Sequence, residues 1–501
     1  MRDAAGRDVS PYQLWQATMM ANATRDPLWR AEVSVEIAAT PSMARTIESK
    51  CLECHAPMAQ FDAQAKGESM RLDLLEQDSL RSQLALDGVS CAACHQIEPT
   101  QDVAATFDGK YTIGTNREIY GPHANPNGSP MGFALNYLPR ESAHISDSNL
   151  CASCHTLTTI AMDANGSPTG GKILEQSPFL EWQNSVYNDQ VATPAAEAAS
   201  CQACHTPRND RDGNPIQTPI AEAGLGTAPR QTYARHTFVG GNTLVPAILR
   251  DQAADLRPLA PASAFDALIE ETRNQLGTQT ARLTLGAGIR TGDLLQLPLT
   301  VENLSGHKFP TGHPVRRAWV RLRVIDAQGQ VVFASGEHDT AGRIVNGGAP
   351  LASELPGGPH QPHRAAITSS DQVQIYQSLM SDGAGALTFL LLRGEGYLKD
   401  NRLLPKGWSA SYPGAAATAP RGVTGDGDFL GGGDTIQYRV LAPAAAGPYR
   451  VEATLLYQPL SARFASELFE YATPEVEAFK TYYEAADRTP EVVASVSAQA
   501  N

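Results

Sequence analysis

Cys-x-x-Cys-His occurs four times in the chain, at Cys51–His55, Cys91–His95, Cys151–His155 and Cys201–His205, and the four copies use all eight cysteines. This pentapeptide is the attachment sequence of a c-type haem. Cys51, Cys54, Cys91, Cys94, Cys151, Cys154, Cys201 and Cys204 are the expected thioether positions. His55, His95, His155 and His205 are the expected proximal iron ligands. Paired Cys-x-x-Cys motifs also bind zinc in closed tetrahedral sites, but zinc gives no reason for His to follow the second Cys in every copy. Disulfide scaffolding is the other alternative. It is disfavoured because each pair is too close in sequence to staple distant segments, and a chain of 501 residues has no need of staples. No cysteine remains for a free catalytic thiol.

A chain of this length is expected to hold two to four domains, at roughly 150 residues each. The net charge of −14 argues against nucleic acid or an anionic membrane as partner. The longest apolar run, around Ala386–Leu392, falls well short of the ~18 residues that span a bilayer. Residues 1–30 carry charges where the apolar stretch of a signal peptide would lie. Haem is attached outside the cytoplasm, so the sequence reads as the trimmed form of an exported protein, periplasmic or at the cell surface.

The motifs start 40, 60 and 50 residues apart and stop at His205. One haem per about fifty residues implies neighbouring rings close to one another, with the porphyrins supplying much of the core. Residues 1–250 are therefore expected to form a mostly α and irregular tetrahaem cytochrome c domain. Ser10-Pro11 and Thr40-Pro41 signal starts of helices over Tyr12–Ala23 and Ser42–Lys50. A further helix is expected at Glu181–Tyr187. Residues 251–277 read as a proline-bearing linker followed by a helix at Ser263–Leu276. From there the hydrophobic period becomes two. Leu295, Leu297, Leu299 and Val301 form one alternating face, Val320, Leu322 and Val324 a second, and Tyr449, Val451, Ala453, Leu455 and Tyr457 a third. Asp326–Gly329 signals a hairpin. Residues 278–460 are expected to be an all-β immunoglobulin-like sandwich, and residues 461–501 a helical tail. The fold class is therefore mixed.

The occupant of each iron's sixth position sets its function: a second His makes a low-potential carrier, Met raises the potential, and an open position admits substrate. Three histidines lie in the haem half beyond the motifs. They are His123 in Tyr120-Gly-Pro-His123, His144 seven residues before Cys151, and His236 beside Gly240-Gly241. A solvent-facing histidine is the ordinary alternative for each. Met20 sits on the expected N-terminal helix, where Met is more often core filler. Asp426-Gly-Asp428 with Asp434 reads first as turns, with Ca²⁺ ligation as the alternative.

The chain resembles multihaem c-type cytochromes of the group that includes the tetrahaem cytochrome of nitrifiers. Pentahaem nitrite reductase and hydroxylamine oxidoreductase share a similar haem arrangement. Many members carry Trp-x-x-Ser-x-His-Ala-Asn-Ala ahead of the first haem. Here the stretch is Trp15-Gln-Ala-Thr18-Met-Met20-Ala-Asn-Ala23, with Met20 where the family places an axial His. The resemblance thus implies a His/Met haem of higher potential. Glu181-Trp182-x-x-Ser185 and Leu150-Cys-Ala-Ser-Cys-His155 also look like the family. The second half resembles the C-terminal region of larger members, through Asn303-Leu-Ser-Gly-His307-Lys-Phe-Pro-Thr-Gly312, Arg316-Arg317-Ala-Trp319 and Asp400-Asn-Arg-Leu-Leu-Pro405. His307 is either a further distal ligand or a locally satisfied turn residue. Five distal candidates for four irons favour an electron carrier with redox-protein partners. A multihaem oxidoreductase acting on a small nitrogen or sulfur compound is the first alternative. A subunit of an extracellular haem filament, or another homo-oligomer, is the second.

Overall fold

In the computed structural model the described residues are 1–220, 228–231, 233–443 and 447–500. They divide into two compact units. The first comprises Met1–Leu157, Ala199–Thr272 and Thr473–Tyr482; the second comprises Thr158–Ala198, Arg273–Ala472 and Tyr483–Asn501.

The first unit is built from short helices. Asp26 starts the helix Pro27–Ala39 by accepting hydrogen bonds from the Leu28 (2.9 Å) and Trp29 (3.3 Å) amides, with Pro27 at the first helical position. The N-terminal helix ends sooner than expected, at Pro11–Trp15, and residues 16–25 continue as turns. Ser10 bonds Asp8 rather than capping it, and Asn22 turns its amide back onto the Gln16 and Thr18 carbonyls. Such local side-chain bonds compete with helix propagation. At Thr40-Pro41 the chain makes a 3₁₀ turn, Pro41–Met43, and then the helix Ala44–His55. A small apolar cluster of Val9, Ile216 and Tyr233 ties the N-terminus to a distant segment.

Two sheets dominate the second unit. One runs in the order Ala366–Ile367, Gly433–Leu441, Leu294–Asn303, Ala281–Leu285. The other runs Leu387–Thr388, Ile375–Ser381, Arg317–Ile325, Tyr449–Gln458, Glu491–Ala500. The alternating residues Leu295, Leu297, Leu299 and Val301 of the first join Val320, Leu322, Val324, Val451 and Leu455 of the second in one buried cluster. Asp326 closes the expected hairpin by accepting the Gln328 (2.9 Å) and Gln330 (2.8 Å) amides.

Three expectations differ. The stretch expected as linker holds the short helix Ala253–Leu256 ahead of Ala262–Gln275, and the helix Leu244–Asp251 runs up to its start. The helix expected at Glu181–Tyr187 is Pro178–Gln183. The tail 461–501 is helical only at Ala462–Leu468 and Pro474–Ala485; Glu491–Ala500 is a strand paired along Tyr449–Gln458. Its Val492, Val493 and Val496 are β-branched residues suited to that pleated edge.

Candidate haem centres

Each attachment motif lies in or at the end of a helical segment. Cys51–His55 closes the helix Ala44–His55, Cys91–His95 opens Cys91–Gln96, Cys151 lies in Asn149–Ala152, and Cys201–His205 is itself a helix. On a helix, positions i, i+3 and i+4 share a face, so both cysteines and the histidine of a motif face the same way. All eight cysteines are outside disulfides. Burial pushes the Cys94 thiol up to about 12 and raises Cys91 and Cys204, whereas Cys154 is lowered, chiefly by its contact with Cys54. Among the described residues the single grouping of metal-ligating side chains lies elsewhere, at His363, Asp426 and Asp434.

Three of the four motif histidines are oriented through Nδ1. That of His55 meets the Ala23 carbonyl at 3.1 Å, that of His95 the Tyr120 carbonyl at 2.6 Å, and that of His205 the Val239 carbonyl at 2.6 Å. These bonds put the ring proton on Nδ1 and the lone pair on Nε2, the second contact that metal-bound histidines generally make. Burial lowers all three, His55 to about 4, which keeps the imidazoles in the neutral, ligating form. Trp29 stacks on His55 with ring centres 4.4 Å apart and planes 11° from parallel. These residues therefore fit a haem iron held through Nε2.

His236 faces His95, with ring centroids 6.3 Å apart and planes at 24°. Its Nδ1 meets the Ala234 carbonyl at 3.1 Å, and burial, with His95 beside it, lowers it to about 4. With Nδ1 of each ring engaged by a backbone carbonyl, Nε2 is the nitrogen that either imidazole would offer a metal.

The other distal candidates are differently placed. His144 uses both ring nitrogens, meeting Ser142 Oγ through Nδ1 (2.6 Å) and the Ile97 carbonyl through Nε2 (2.9 Å). His123 is half-buried in the turns after the strand Glu118–Gly121. Burial lowers it, helped by Arg230 and Arg208. Met20 is half-buried in a turn rather than on a helix, and its carbonyl accepts the Val89 amide at 2.9 Å, two residues before Cys91. His307 belongs to the second unit, its Nδ1 against the Lys308 carbonyl at 2.9 Å.

Sequence reasoning missed the segment Asp108–Gly114, which connects three motifs. The Asp108 and Gly109 amides donate to the carbonyls of Thr156 (3.0 Å) and Ser153 (2.8 Å). The Tyr111 hydroxyl donates to the Glu53 carbonyl, and Lys50 Nζ to the Asp108 carbonyl. The Glu98 amide donates to the Thr112 carbonyl (2.9 Å) and the Gly114 amide to that of Gln96 (2.8 Å). Motif 4 is tied in turn to the approach to motif 3, through Cys201 N to Ser148 Oγ (3.0 Å) and Gln202 Nε2 to the Asp147 carbonyl (2.8 Å). Cys54 and Cys154 lie within hydrogen-bond reach of each other, and so do Cys151 and Cys201.

Asp426-Gly-Asp428 with Asp434, read first as turns with Ca²⁺ as the alternative, has its carboxylates engaged by protein donors: Asp434 Oδ2 accepts from the Tyr376 hydroxyl (2.7 Å) and Gln374 Nε2 (3.0 Å). His363 Nδ1 receives amide protons from Gln374 (2.8 Å) and Asn401 (3.1 Å). Both amides are oriented by their oxygens, which accept the Arg364 and Gln377 backbone amides. The imidazole proton is therefore on Nε2, donated to Asp426 at 2.8 Å, where a metal would have to bind.

Residues 9–96 match the family model "Cytochrome c554 and c-prime". The fold resembles the crystal structure of a penta-haem cytochrome c552 from Thermochromatium tepidum, at 16% identity and a TM-score of 0.53, over 98% of this chain and 96% of that one. No curated protein sequence matches the chain. Together the family match and the motif geometry support a multihaem c-type cytochrome with covalently bound c-type haem, a class that is typically exported. Among the described residues no helix is long and apolar enough to cross a membrane.

Proposed function

We propose that the chain is a tetrahaem electron carrier of the periplasm or cell surface, passing single electrons between redox proteins. The haem supplies the electron chemistry; the protein supplies spacing, axial ligands and exclusion of water. Cys51/Cys54, Cys91/Cys94, Cys151/Cys154 and Cys201/Cys204 form the thioether bonds, and His55, His95, His155 and His205 bind the irons from the proximal side. The observation that carries the reading is the His95–His236 pair, a motif imidazole and a second imidazole side by side, each with Nδ1 on a backbone carbonyl and Nε2 as the nitrogen to offer an iron. A six-coordinate iron favours electron transfer over substrate binding. Met20, His123, His144 and His307 are the candidates for the other distal positions. His144 would have to release the Ile97 carbonyl to serve.

The second unit we read as immunoglobulin-like and as a docking or spacing domain. Its two-sheet strand order over a common core supports this, as does Tyr449, whose hydroxyl reaches back to the Pro443 carbonyl (2.7 Å) from the start of its strand in the manner of a tyrosine corner.

The test is a haem count by pyridine haemochrome and intact mass, with ferric electron paramagnetic resonance. The expected result is four haems with low-spin signals, one of which becomes high-spin in His236→Ala. A high-spin signal in the wild type that responds to nitrite overturns the carrier in favour of the reductase. That alternative draws on one observation, the cationic Arg208 and Arg230 near His123, which suit an anion.

A further inference from the structure

We infer that Asp108–Tyr111 is a positioning clamp that sets the spacing between the haems of the first and third motifs, with Tyr111 at the point where their attachment edges meet. The inference rests on the tetrahaem reading and adds to it the element that fixes one inter-haem distance.

The two motifs are far apart in sequence, and the clamp holds both. Tyr111 and Lys50 join it to the helix of the first motif, at Glu53 and across to Asp108. The Gly109 and Asp108 amides join it to Ser153 and Thr156, which flank Cys154 and His155. Apart from the Lys50–Glu53 ion pair, each bond ends on a backbone carbonyl, so the clamp holds the two helical turns themselves. Cys54 and Cys154 consequently approach within hydrogen-bond reach. Tyr111 is half-buried, with both thiols and Cys94 of the second motif among its electrostatic neighbours.

Gly109 shows how little slack the clamp has. Its φ of +77° is left-handed, and a Cβ there would lie 3.2 Å from Cys54 Sγ and 3.3 Å from Glu53 Cβ. A side chain at this position has to displace the thioether edge of the first motif or the segment itself. Electron transfer between haems depends on the distance between ring edges, so a clamp at the thioether edge governs a rate as well as a fold.

The experiment uses the full-length haem-loaded protein and four variants: Gly109→Ala, Tyr111→Phe, Lys50→Met and the control Gly67→Ala. Gly67 also has a left-handed φ, +68°, but nothing lies within 4 Å of an added Cβ. It therefore reports backbone strain without motif contact. Haem number is measured first, by pyridine haemochrome. A wild type without four haems defeats the tetrahaem reading, not the clamp alone. With four haems present, Gly109→Ala and Tyr111→Phe are expected to shift the potentials of two haems and to change their mutual magnetic coupling in paramagnetic resonance of partly reduced samples, while Gly67→Ala matches the wild type. Should Gly109→Ala fail to fold, Tyr111→Phe and Lys50→Met decide, because the first removes one bond and the second two, and neither adds atoms to the thioether edge. Four attached haems with titration curves and spectra superimposable on the wild type in Tyr111→Phe and Lys50→Met overturn the clamp.

Discussion

His55 is held in two perpendicular ways, by the Ala23 carbonyl in the plane of its ring and by the Trp29 indole across its face. A hydrogen bond alone leaves the imidazole free to rock about the axis through that bond. The stacked indole removes this freedom, and offset aromatic stacking contributes roughly 0.5–1.5 kcal/mol beyond area burial. The plane of an axial imidazole sets the anisotropy of a low-spin ferric signal. Trp29→Leu is therefore expected to broaden or shift one low-spin signal without loss of haem, and Trp29→Phe to restore it. A spectrum unchanged in Trp29→Leu would show that the indole does not orient the ring. The motif histidines were legible from sequence because attachment chemistry fixes their spacing. Trp29 was not, because its partner is 26 positions away and the two meet where the helix Pro27–Ala39 packs against Ala44–His55. Met20 shows the same limit: its place in a turn depends on Asn22 capturing carbonyls, which hydrophobic spacing does not report.

At the scale of elements, the second unit is joined internally by a buried set of two anions and two cations. Lys308 Nζ meets Asp400 at 2.6 Å, Arg402 meets Asp400 at 2.7 Å, and Arg402 meets Glu181 at 3.2 Å. Glu181 also accepts the Lys308 amide at 3.1 Å. Charges taken out of water this completely are tolerated only when paired, and removing one partner typically costs about 3–5 kcal/mol. Burial alone would raise Asp400, but Arg402 and Lys308 outweigh it and hold the carboxyl well below the usual carboxylate range. A carboxyl depressed in the folded state contributes stability that is present above its unfolded value, near pH 4, and is lost as pH falls below it. Urea unfolding of the wild type is expected to show stability falling steeply below about pH 4. Asp400→Asn should lower stability at pH 7 by about 3 kcal/mol or more, and the gap between the two proteins should close toward pH 2. A gap that stays constant across that range would exclude Asp400 as the titrating group. The residues of this cluster fall in the stretches Asn303–Gly312, Asp400–Pro405 and Glu181–Ser185, which stood out in sequence. Their mutual pairing did not, since alternation reveals which face of a strand is buried but not which loops converge.

For the whole molecule, the chain crosses between its two units at five places, near residues 157, 198, 272, 472 and 482. Composition and hydrophobic period instead suggest boundaries near residues 250, 277 and 460. Local patterns cannot show a segment that returns. Thr473–Tyr482 belongs to the haem-bearing unit, where Thr473 Oγ1 meets Ser34 Oγ at 2.6 Å and the Tyr482 hydroxyl meets Asp255 at 3.4 Å. Thr158–Ala198 belongs to the strand-rich unit, where the Tyr397 hydroxyl donates to the Leu174 carbonyl at 2.9 Å and the Asn184 amide to the Ser409 carbonyl at 3.0 Å. A fragment of residues 1–250 therefore lacks part of its own unit and carries a segment whose partners are missing. A fragment of residues 278–460 lacks both that segment and the strand Glu491–Ala500, leaving Tyr449–Gln458 as an unpaired edge, a template for aggregation. Neither fragment is expected to reproduce the stability of its part of the full chain. In limited proteolysis the full chain should resist cleavage near residue 250, where the helix Leu244–Asp251 has Val245, Ile248 and Leu249 buried. The fragment 278–460 should be cut rapidly or precipitate. A soluble, protease-resistant fragment 278–460 would show instead that the returning segments are ornaments on an independently stable β domain.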